Sequence, residues 1–178
     1  MINFTAIHIH NTSVKKNYSS LEPKQEVAFV ELHTSSRKDR KTLGEISKLW
    51  APCNRIADSI SLCAEEKYKG NLDFAFDRFF ALTKPQSSYS KLDPANVLGI
   101  AHASETHEGV EIYYLQTGPK YEFANSDRSL KQVGHRIIKC IKSLYKGLDV
   151  IVAPKYDAEK FYYKIGFKDY GNKLKLKA

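Results

Sequence analysis

The residues whose types and spacing could do chemistry lie where a strand leads through a polar loop to a helix. Leu115, Gln116 and Thr117 end the predicted strand, and Gly134 lies near the start of the helix. The free N–H groups and the dipole of a helix N-terminus bind anions, and a glycine lets the backbone approach a ligand closely. This order predicts a phosphate-binding site. A glycine that only packs the helix on the sheet is the alternative.

A second stretch, residues 158–167, reads A-E-K-F-Y-Y-K-I-G-F. Its apolar residues have helical spacing and predict one stripe on a short helix: Ala158, Phe161, Tyr162 and Ile165. Gly166 is expected to end this helix, and the run V-I-V-A at 150–153 is typical of a buried strand just before it. A tyrosine on an apolar stripe is usually a core residue, so this pattern alone assigns no chemistry to Tyr162.

The excess positive charge lies in the same part of the chain. The net charge is +8, and residues 120–178 contain fourteen Lys or Arg against six Asp or Glu, so the whole excess lies there. A phosphate-bearing partner would suit this distribution, whether a nucleotide cofactor or RNA, and so would a basic surface that only aids solubility. Lys139, Lys142 and Lys146 are expected to form a solvated helix face.

Composition indicates an ordinary globular protein, with 42% hydrophobic and 27% charged residues. The length of 178 residues predicts a single domain over 1–178. The N-terminus has neither the basic start nor the apolar core of a signal peptide, so we expect a cytoplasmic protein without membrane partners. Cys53, Cys63 and Cys140 are odd in number and far apart, which argues against a disulfide framework and a zinc site.

Hydrophobic periodicity predicts alternating strands and helices. The predicted strands are 4–10, 27–32, 78–83, 96–104, 110–117, 150–153 and 174–177. The predicted helices are 42–50, 54–69, 130–145 and 158–165. Thr42 and Glu45 form a capping-box pattern at the start of the first helix. The strand–helix–strand unit over 110–153 is a crossover, so its two strands are expected to be parallel.

Three motifs resemble those of the GNAT superfamily, whose members transfer an acetyl group from acetyl-CoA to an amine. Residues 115–119, L-Q-T-G-P, are similar to the family's strand end L-x-V-x-P, and residues 131–135, K-Q-V-G-H, resemble its pyrophosphate loop. Residues 158–167 are close to A-x-x-L/F-Y-x-K-x-G-F, the most specific of the three motifs. The resemblance covers 96–167 well and the N-terminal half by element order.

The resemblance implies an α/β (α+β mixed) acyl-CoA N-acyltransferase fold. Its sheet would be mixed and mostly antiparallel, with flanking helices and a splayed parallel strand pair that admits CoA. The backbone at Leu115, Gln116 and Thr117 would then pair with the pantetheine arm and stabilise the oxyanion. The remaining implied CoA-binding residues lie at the loop and the helix start: Arg128, Lys131, Gln132, Val133, Gly134 and His135.

The resemblance also implies the catalytic groups. Tyr162 matches the general acid that protonates the departing sulfur. A base is needed as well, because a lysine-like amine has a pKa of about 10.4 and must lose a proton before it attacks. Glu111 lies where some members carry such a base, with Glu108 and Glu105 as alternatives acting through water. A solvent-facing strand carboxylate is the alternative for Glu111.

The chain departs from the family pattern in the loop, where Gln132 replaces the first glycine and Ser129 replaces Arg or Gln. The expected reaction is direct transfer of an acetyl group from acetyl-CoA to a primary amine in a ternary complex, without a metal. The acceptor is left open among a small molecule, a protein and a tRNA-linked amine. A non-catalytic CoA-binding member and an RNA-interacting member are the alternatives, and a monomer or homodimer is expected.

Overall fold

The computed structural model describes residues 6–16, 25–51, 55–121, 130–154 and 158–178. In these ranges four α-helices flank one sheet of nine strands. The helices are α1 (Arg37–Trp50), α2 (Ile56–Tyr68), α3 (Val133–Leu144) and α4 (Glu159–Lys164). The strands are β1 (Ile7–Lys16), β2 (Gln25–Leu32), β3 (Asp77–Thr83), β4 (Val97–Thr106), β5 (Gly109–Thr117), β6 (Leu130–Lys131), β7 (Val150–Val152), β8 (Lys168–Tyr170) and β9 (Lys173–Leu176).

The strand order across the sheet is β6-β1-β2-β3-β4-β5-β7-β9-β8. Every neighbouring pair is antiparallel except β5 and β7, which are parallel and are connected in the chain through α3. Parallel neighbours need such a crossover, because a tight turn can join only antiparallel strands. The mixed, mostly antiparallel sheet and its parallel pair are therefore confirmed.

Each face of the sheet carries its own apolar core. Phe80 and Ile137 belong to the core beneath α3 and α4, whereas Phe79 and Ile60 belong to the core beneath α1 and α2. Successive side chains of a strand point to opposite faces, which is why the neighbours Phe79 and Phe80 enter different cores. No helix in the described ranges is both long and apolar enough to cross a membrane.

A β-bulge interrupts β5 where it leaves β7. The register against β4 shifts between His102 and Ala103, so that Tyr113 on β5 has no partner opposite it. Pairing with β7 ends at Ile112, the residue before the bulge. Along residues 113–117, no strand in the described ranges pairs with this edge of β5. The parallel pair is thus splayed, as a bulge bends its strand and locally ends pairing.

The bulge also changes which side chains of β5 face each core. Before it, Val110 and Ile112 pack in the core beneath α3 and α4. After it, Leu115 packs against that core, whereas Tyr114 packs against the core beneath α1 and α2. Even-numbered residues therefore face α3 before the bulge, and odd-numbered residues face it afterwards, because one extra residue reverses the alternation.

The predicted start of the first helix is wrong. α1 begins at Arg37, and its N-cap is Ser36, whose Oγ accepts a hydrogen bond from the Asp39 N–H at 3.3 Å. Thr42 is buried inside the helix rather than at its start. A Thr three residues before a Glu is compatible with a helix interior as well as with a cap, so the pattern did not locate the start of α1.

Two further boundaries differ from the prediction. Leu130 lies in β6, which pairs with the end of β1, so that α3 begins at Val133 and β1 extends to Lys16. A buried strand position satisfies the apolar pattern at Leu130 as well as a helical one does. The sequence pattern also missed β8, which pairs with β9 around a turn at Gly171, whose φ is 62°.

The free end of β5 supplies the N-terminal cap of α2. Arg55, which precedes α2, makes no side-chain capping hydrogen bond. Instead, the Ala57 N–H donates to Oε1 of Gln116 at 2.8 Å. The Gln116 side chain is 3% exposed, and its Nε2 has no partner in the described part of the chain. This cap links α2 to the strand end for which the family resemblance implies CoA binding.

We expect Gln116→Ala to lower the free energy of unfolding by about 1–3 kcal/mol, because the buried Ala57 N–H loses its acceptor. Asn71→Ala is the matched control, since Asn71 Oδ1 accepts from the Asp73 N–H at 3.1 Å in an exposed turn, where water can replace it. The control should cost about 0.5 kcal/mol. Urea unfolding of both variants measures the difference, and equal losses would contradict the capping role.

Candidate functional site

The start of α3 lies against the free end of β5 and the side of α4. A Cβ built on Gly134 would lie 3.3 Å from Cζ of Phe161, 3.6 Å from Cγ2 of Thr117 and 3.8 Å from Cδ2 of Leu115. The three motifs that the sequence analysis singled out are therefore neighbours in space. Leu115 and Thr117 reach Gly134 because they follow the bulge and face α3.

Among the described residues, no side chain caps the N-terminus of α3. Its N-cap, Gln132, makes no side-chain capping bond. The N–H groups of Val133, Gly134 and His135 lie in the first turn, where a helix offers no acceptor, and the helix dipole adds partial positive charge there. Burial, followed by the nearby Lys139 and Arg136, lowers the pKa of His135, so its imidazole is neutral at pH 7. His135 therefore adds no charge at this helix start, where the first-turn N–H groups and the helix dipole supply positive potential.

Two predicted phosphate-binding residues are not placed by the structure. Arg128 lies outside the described residues, as does Ser129. The backbone of Lys131 is described in β6, where it pairs with Lys15, but its side chain lies outside the described part.

Gln132 has a left-handed backbone conformation, with φ 64° and ψ 21°. In the described ranges it is the one non-glycine residue with positive φ. Its position is where the resembling family usually has a glycine, and this conformation explains why a glycine suits it. The departure at Gln132 therefore costs stability.

We expect Gln132→Gly to raise the free energy of unfolding by about 0.5–1 kcal/mol. Relief of a left-handed non-glycine residue, about 1–2 kcal/mol, exceeds the entropy that a glycine adds to the unfolded chain. Gln132→Ala is the control, because alanine keeps the strain and should leave stability within about 0.5 kcal/mol of the parent. Thermal and urea unfolding measure both, and a loss of stability on introducing glycine would contradict the left-handed assignment.

Tyr162 lies on α4 in an aromatic surrounding. It is 8% exposed and packs edge-on against Phe161 and Phe167, with ring centroids 5.0 and 5.3 Å away. Burial raises the pKa of its hydroxyl to about 12. This hydroxyl makes no hydrogen bond with any described residue, although buried tyrosines usually have a partner. It is therefore free to donate to a ligand.

Glu111 forms an ion pair with Lys173 on the sheet face that packs against α1 and α2. Its carboxylate is nearly buried, and Nζ of Lys173 on β9 lies 2.8 Å from Oε1 and 2.9 Å from Oε2. This hydrogen bond, more than any other cause, raises the pKa of Lys173, so the lysine is charged at pH 7. Glu111 is thus a paired carboxylate and not the solvent-facing residue that was the alternative.

The sheet itself separates Glu111 from Tyr162. Val110 and Ile112 point beneath α3, so Glu111 between them points to the α1 and α2 face, whereas Tyr162 packs in the core beneath α3 and α4. Where β5 and β7 are paired, no small molecule could contact both residues. Beyond Ile112 the strands part, and a group in that gap is accessible from both faces.

Sequence reasoning missed Lys173 and a second buried side-chain pair. Lys173 was not singled out, because a lone lysine on an edge strand has no distinguishing pattern. His102 and Asp77 form a second buried pair, with Nε2 of His102 2.5 Å from Oδ2 of Asp77 and side-chain exposures of 2% and 4%. Such pairs join residues far apart in the chain, so no local spacing signals them.

The described ranges hold no cluster of three or more metal-ligating His, Cys, Asp or Glu side chains.

Comparisons with known proteins identify the fold. No family model matches the sequence, and no curated protein matches it. Among solved structures, the chain is similar to a protein from Desulfovibrio desulfuricans proposed to be an acetyltransferase of the GNAT family. The two are 12% identical, the match covers 85% of this chain and 98% of that one, and the TM-score is 0.57.

Two further structures are similar. One is YhhK from E. coli, a proposed N-acetyltransferase bound to coenzyme A, at 12% identity over 85% of this chain and 98% of that one, with a TM-score of 0.51. The other is a tyrosine-to-phenylalanine mutant of the toxin AtaT, bound to the C-terminus of the antitoxin AtaR and to acetyl-CoA. It is 14% identical over 85% of this chain and 92% of that one, with a TM-score of 0.50.

These likenesses extend over most of each chain. The protein therefore has the fold of the GNAT acetyltransferases, and the predicted fold class is confirmed.

Proposed function

We propose that the protein transfers an acetyl group from acetyl-CoA to a primary amine. The observation that supports this most is the open N-terminus of α3 against the unpaired end of β5, with the side-chain-free Gly134 between them. This arrangement offers N–H donors for a pyrophosphate and, beside them, a strand edge for an amide-containing arm. Acetyl-CoA combines both groups with a reactive thioester.

The residues present fit such a substrate at each of these points. The first-turn N–H groups of Val133, Gly134 and His135 would bind the pyrophosphate. Lys131 and Arg128 would add charge there. The backbone at 113–117 would hydrogen-bond the pantetheine amides as a partner strand does, and its N–H groups would polarise the thioester carbonyl. The CoA-bound and acetyl-CoA-bound states of the similar structures support this assignment.

The gap between β5 and β7 would let the two catalytic groups act from opposite faces. Glu111 is the proposed base, on the face of α1 and α2, where the amine would approach. Its partner Lys173 competes with a cationic acceptor for the same carboxylate oxygens. The acceptor ammonium would therefore displace Lys173 from at least one oxygen, or lose its proton to Glu111 through a water.

Tyr162 would act on the departing sulfur from the α4 face. A hydroxyl with a pKa of about 12 is neutral across the physiological range and able to donate. A thiol has a pKa of about 8.5, so complete transfer of the Tyr162 proton to a free thiolate would be uphill by roughly three units. The Tyr162 hydroxyl is accordingly assigned as a hydrogen-bond donor that stabilises negative charge on sulfur while the C–S bond breaks.

We expect the purified protein to release CoA from acetyl-CoA in the presence of a suitable amine. The assay follows free thiol across three classes of acceptor: small amines, peptides with free N-termini or lysines, and aminoacyl-tRNA. Binding of acetyl-CoA, measured by calorimetry, is the control. Tight binding without turnover on every acceptor would favour a CoA-binding protein without catalysis, which the ion-paired Glu111 and the Gln132 departure would then explain.

We expect Tyr162→Phe to lower turnover by about 10²–10³-fold, the usual cost of removing one hydrogen-bond donor to developing negative charge, and to leave acetyl-CoA affinity unchanged. Tyr163→Phe is the matched control. Tyr163 is the adjacent residue on α4, but it is 45% exposed, and its hydroxyl donates to Oδ1 of Asp169 at 2.5 Å. Turnover should be unaffected in this control. If the Tyr162→Phe protein kept full turnover, the hydroxyl would have no catalytic role and Tyr162 would be only a core residue.

A further inference from the structure

The exposed face of α3 is a basic stripe without acidic residues. From Arg128 to Leu148 the sequence contains six Lys or Arg and no Asp or Glu. On α3 and just after it, four of them follow one another at spacings of three or four residues: Arg136, Lys139, Lys142 and Lys146. Residues three and four apart share a helix face, so this stripe extends about 15 Å from near the N-terminus of α3 to beyond its end.

The charge of this stripe is not neutralised within the described ranges. None of the four residues forms an ion pair with a described acid, and the Nζ of Lys142 donates instead to the carbonyl oxygen of Lys177. The first acid after the stripe, Asp149, is engaged elsewhere. It lies 3.5 Å from Nζ of Lys175 and accepts a hydrogen bond from the Ala178 N–H at 2.9 Å.

A solvated helix face in the same protein looks different. α1 is also rich in lysine and arginine, but Glu45 lies among them and pairs with Lys41 at 3.6 Å. Mixed signs are typical of a face that only meets water. Lysines in the last turn of α3 also complement the helix dipole, yet that dipole is equivalent to about half a charge, much less than the stripe carries.

The stripe also borders a concavity, which a solvated face does not require. Its volume is about 380 Å³, enough for a phosphate and its sugar. The residues that line it are Lys139, Lys142, Ser143, Lys146, Gly147, Leu148 and Ala178. Three lysines line this one hollow, and like charges near one another repel unless an anion lies close to them. Their arrangement is therefore better suited to a polyanion than to solvent.

We propose that this basic stripe of α3 binds the phosphate backbone of a folded RNA. From Val133 to Leu148 the sequence has no Asn or Gln to read base edges, and the aromatic Tyr145 is buried and unable to stack on bases. The contacts available are consequently to phosphate and sugar. Ser143 lines the same concavity, and its hydroxyl could bond a 2′-hydroxyl, the group that distinguishes RNA from DNA. The stripe has no exposed apolar side chain to enter a membrane.

The test measures fluorescence anisotropy of an RNA hairpin of about 20 base pairs at several salt concentrations. The test variant is Lys139→Gln/Lys146→Gln, both at exposed positions of the stripe. The control is Lys38→Gln/Lys48→Gln, which removes the same net charge from exposed positions of α1 on the opposite face of the sheet. Acetyl-CoA affinity and thermal unfolding of each variant show that the fold is retained.

Wild-type protein and the α1 control should bind the hairpin equally well. The α3 variant should bind about 10-fold more weakly or worse at about 0.15 M salt, with a log–log salt slope shallower by about 1.5, since each lost phosphate contact removes about 0.7–0.9. Ser143→Ala should reduce the preference for RNA over a DNA hairpin of the same sequence. The proposal would be overturned if the two double variants lost equal affinity for the RNA hairpin. It would also be overturned if the wild-type protein did not bind the hairpin at low salt, or if it bound DNA or anionic vesicles more tightly than RNA. None of these readouts depends on acetyl transfer.

Discussion

The β-bulge at Tyr113 is the constraint on which the candidate site depends. One unpaired residue on β5 reverses the alternation of every side chain after it, and pairing with β7 ends at the residue before it. Leu115 and Thr117 therefore contact the start of α3, and Gln116 faces the opposite side, where it caps α2. Without the bulge, these three side chains would exchange faces, and the strand end would lose both contacts.

The same interruption gives the two catalytic candidates a common space. A paired sheet is a barrier between its faces, and Glu111 and Tyr162 lie on different faces. Their chemistry can meet only at a gap in the hydrogen-bond ladder, which the parting of β5 and β7 provides. The surrounding contacts hold this gap in place, because the Gln116 cap connects the strand end to α2 and the Lys173 ion pair connects β5 to β9.

The basic third of the chain divides into two surfaces with different physical origins. At the start of α3, the first-turn N–H groups and the helix dipole supply positive potential, and the neutral His135 adds no charge. Along the exposed face of the same helix, it comes from lysine side chains without acidic partners in the described ranges. The net charge of the chain does not distinguish these two surfaces. A CoA-type ligand would account for the positive potential at the start of α3, but not for the lysines along its exposed face.

The sequence by itself determined the four helices, seven of the nine strands of the described ranges, the parallel crossover and the three motifs, because periodicity and turn residues are local properties. It did not determine the start of α1 at Arg37, because the Thr42 pattern fits a cap and a helix interior equally well. It did not determine β6 at Leu130, because an apolar residue there fits a buried strand and a helix equally well. Only the tertiary structure decided the bulge at Tyr113 and the pairing of Glu111 with Lys173. Both join residues distant in the chain, so their free energy depends on packing that no local window of sequence contains.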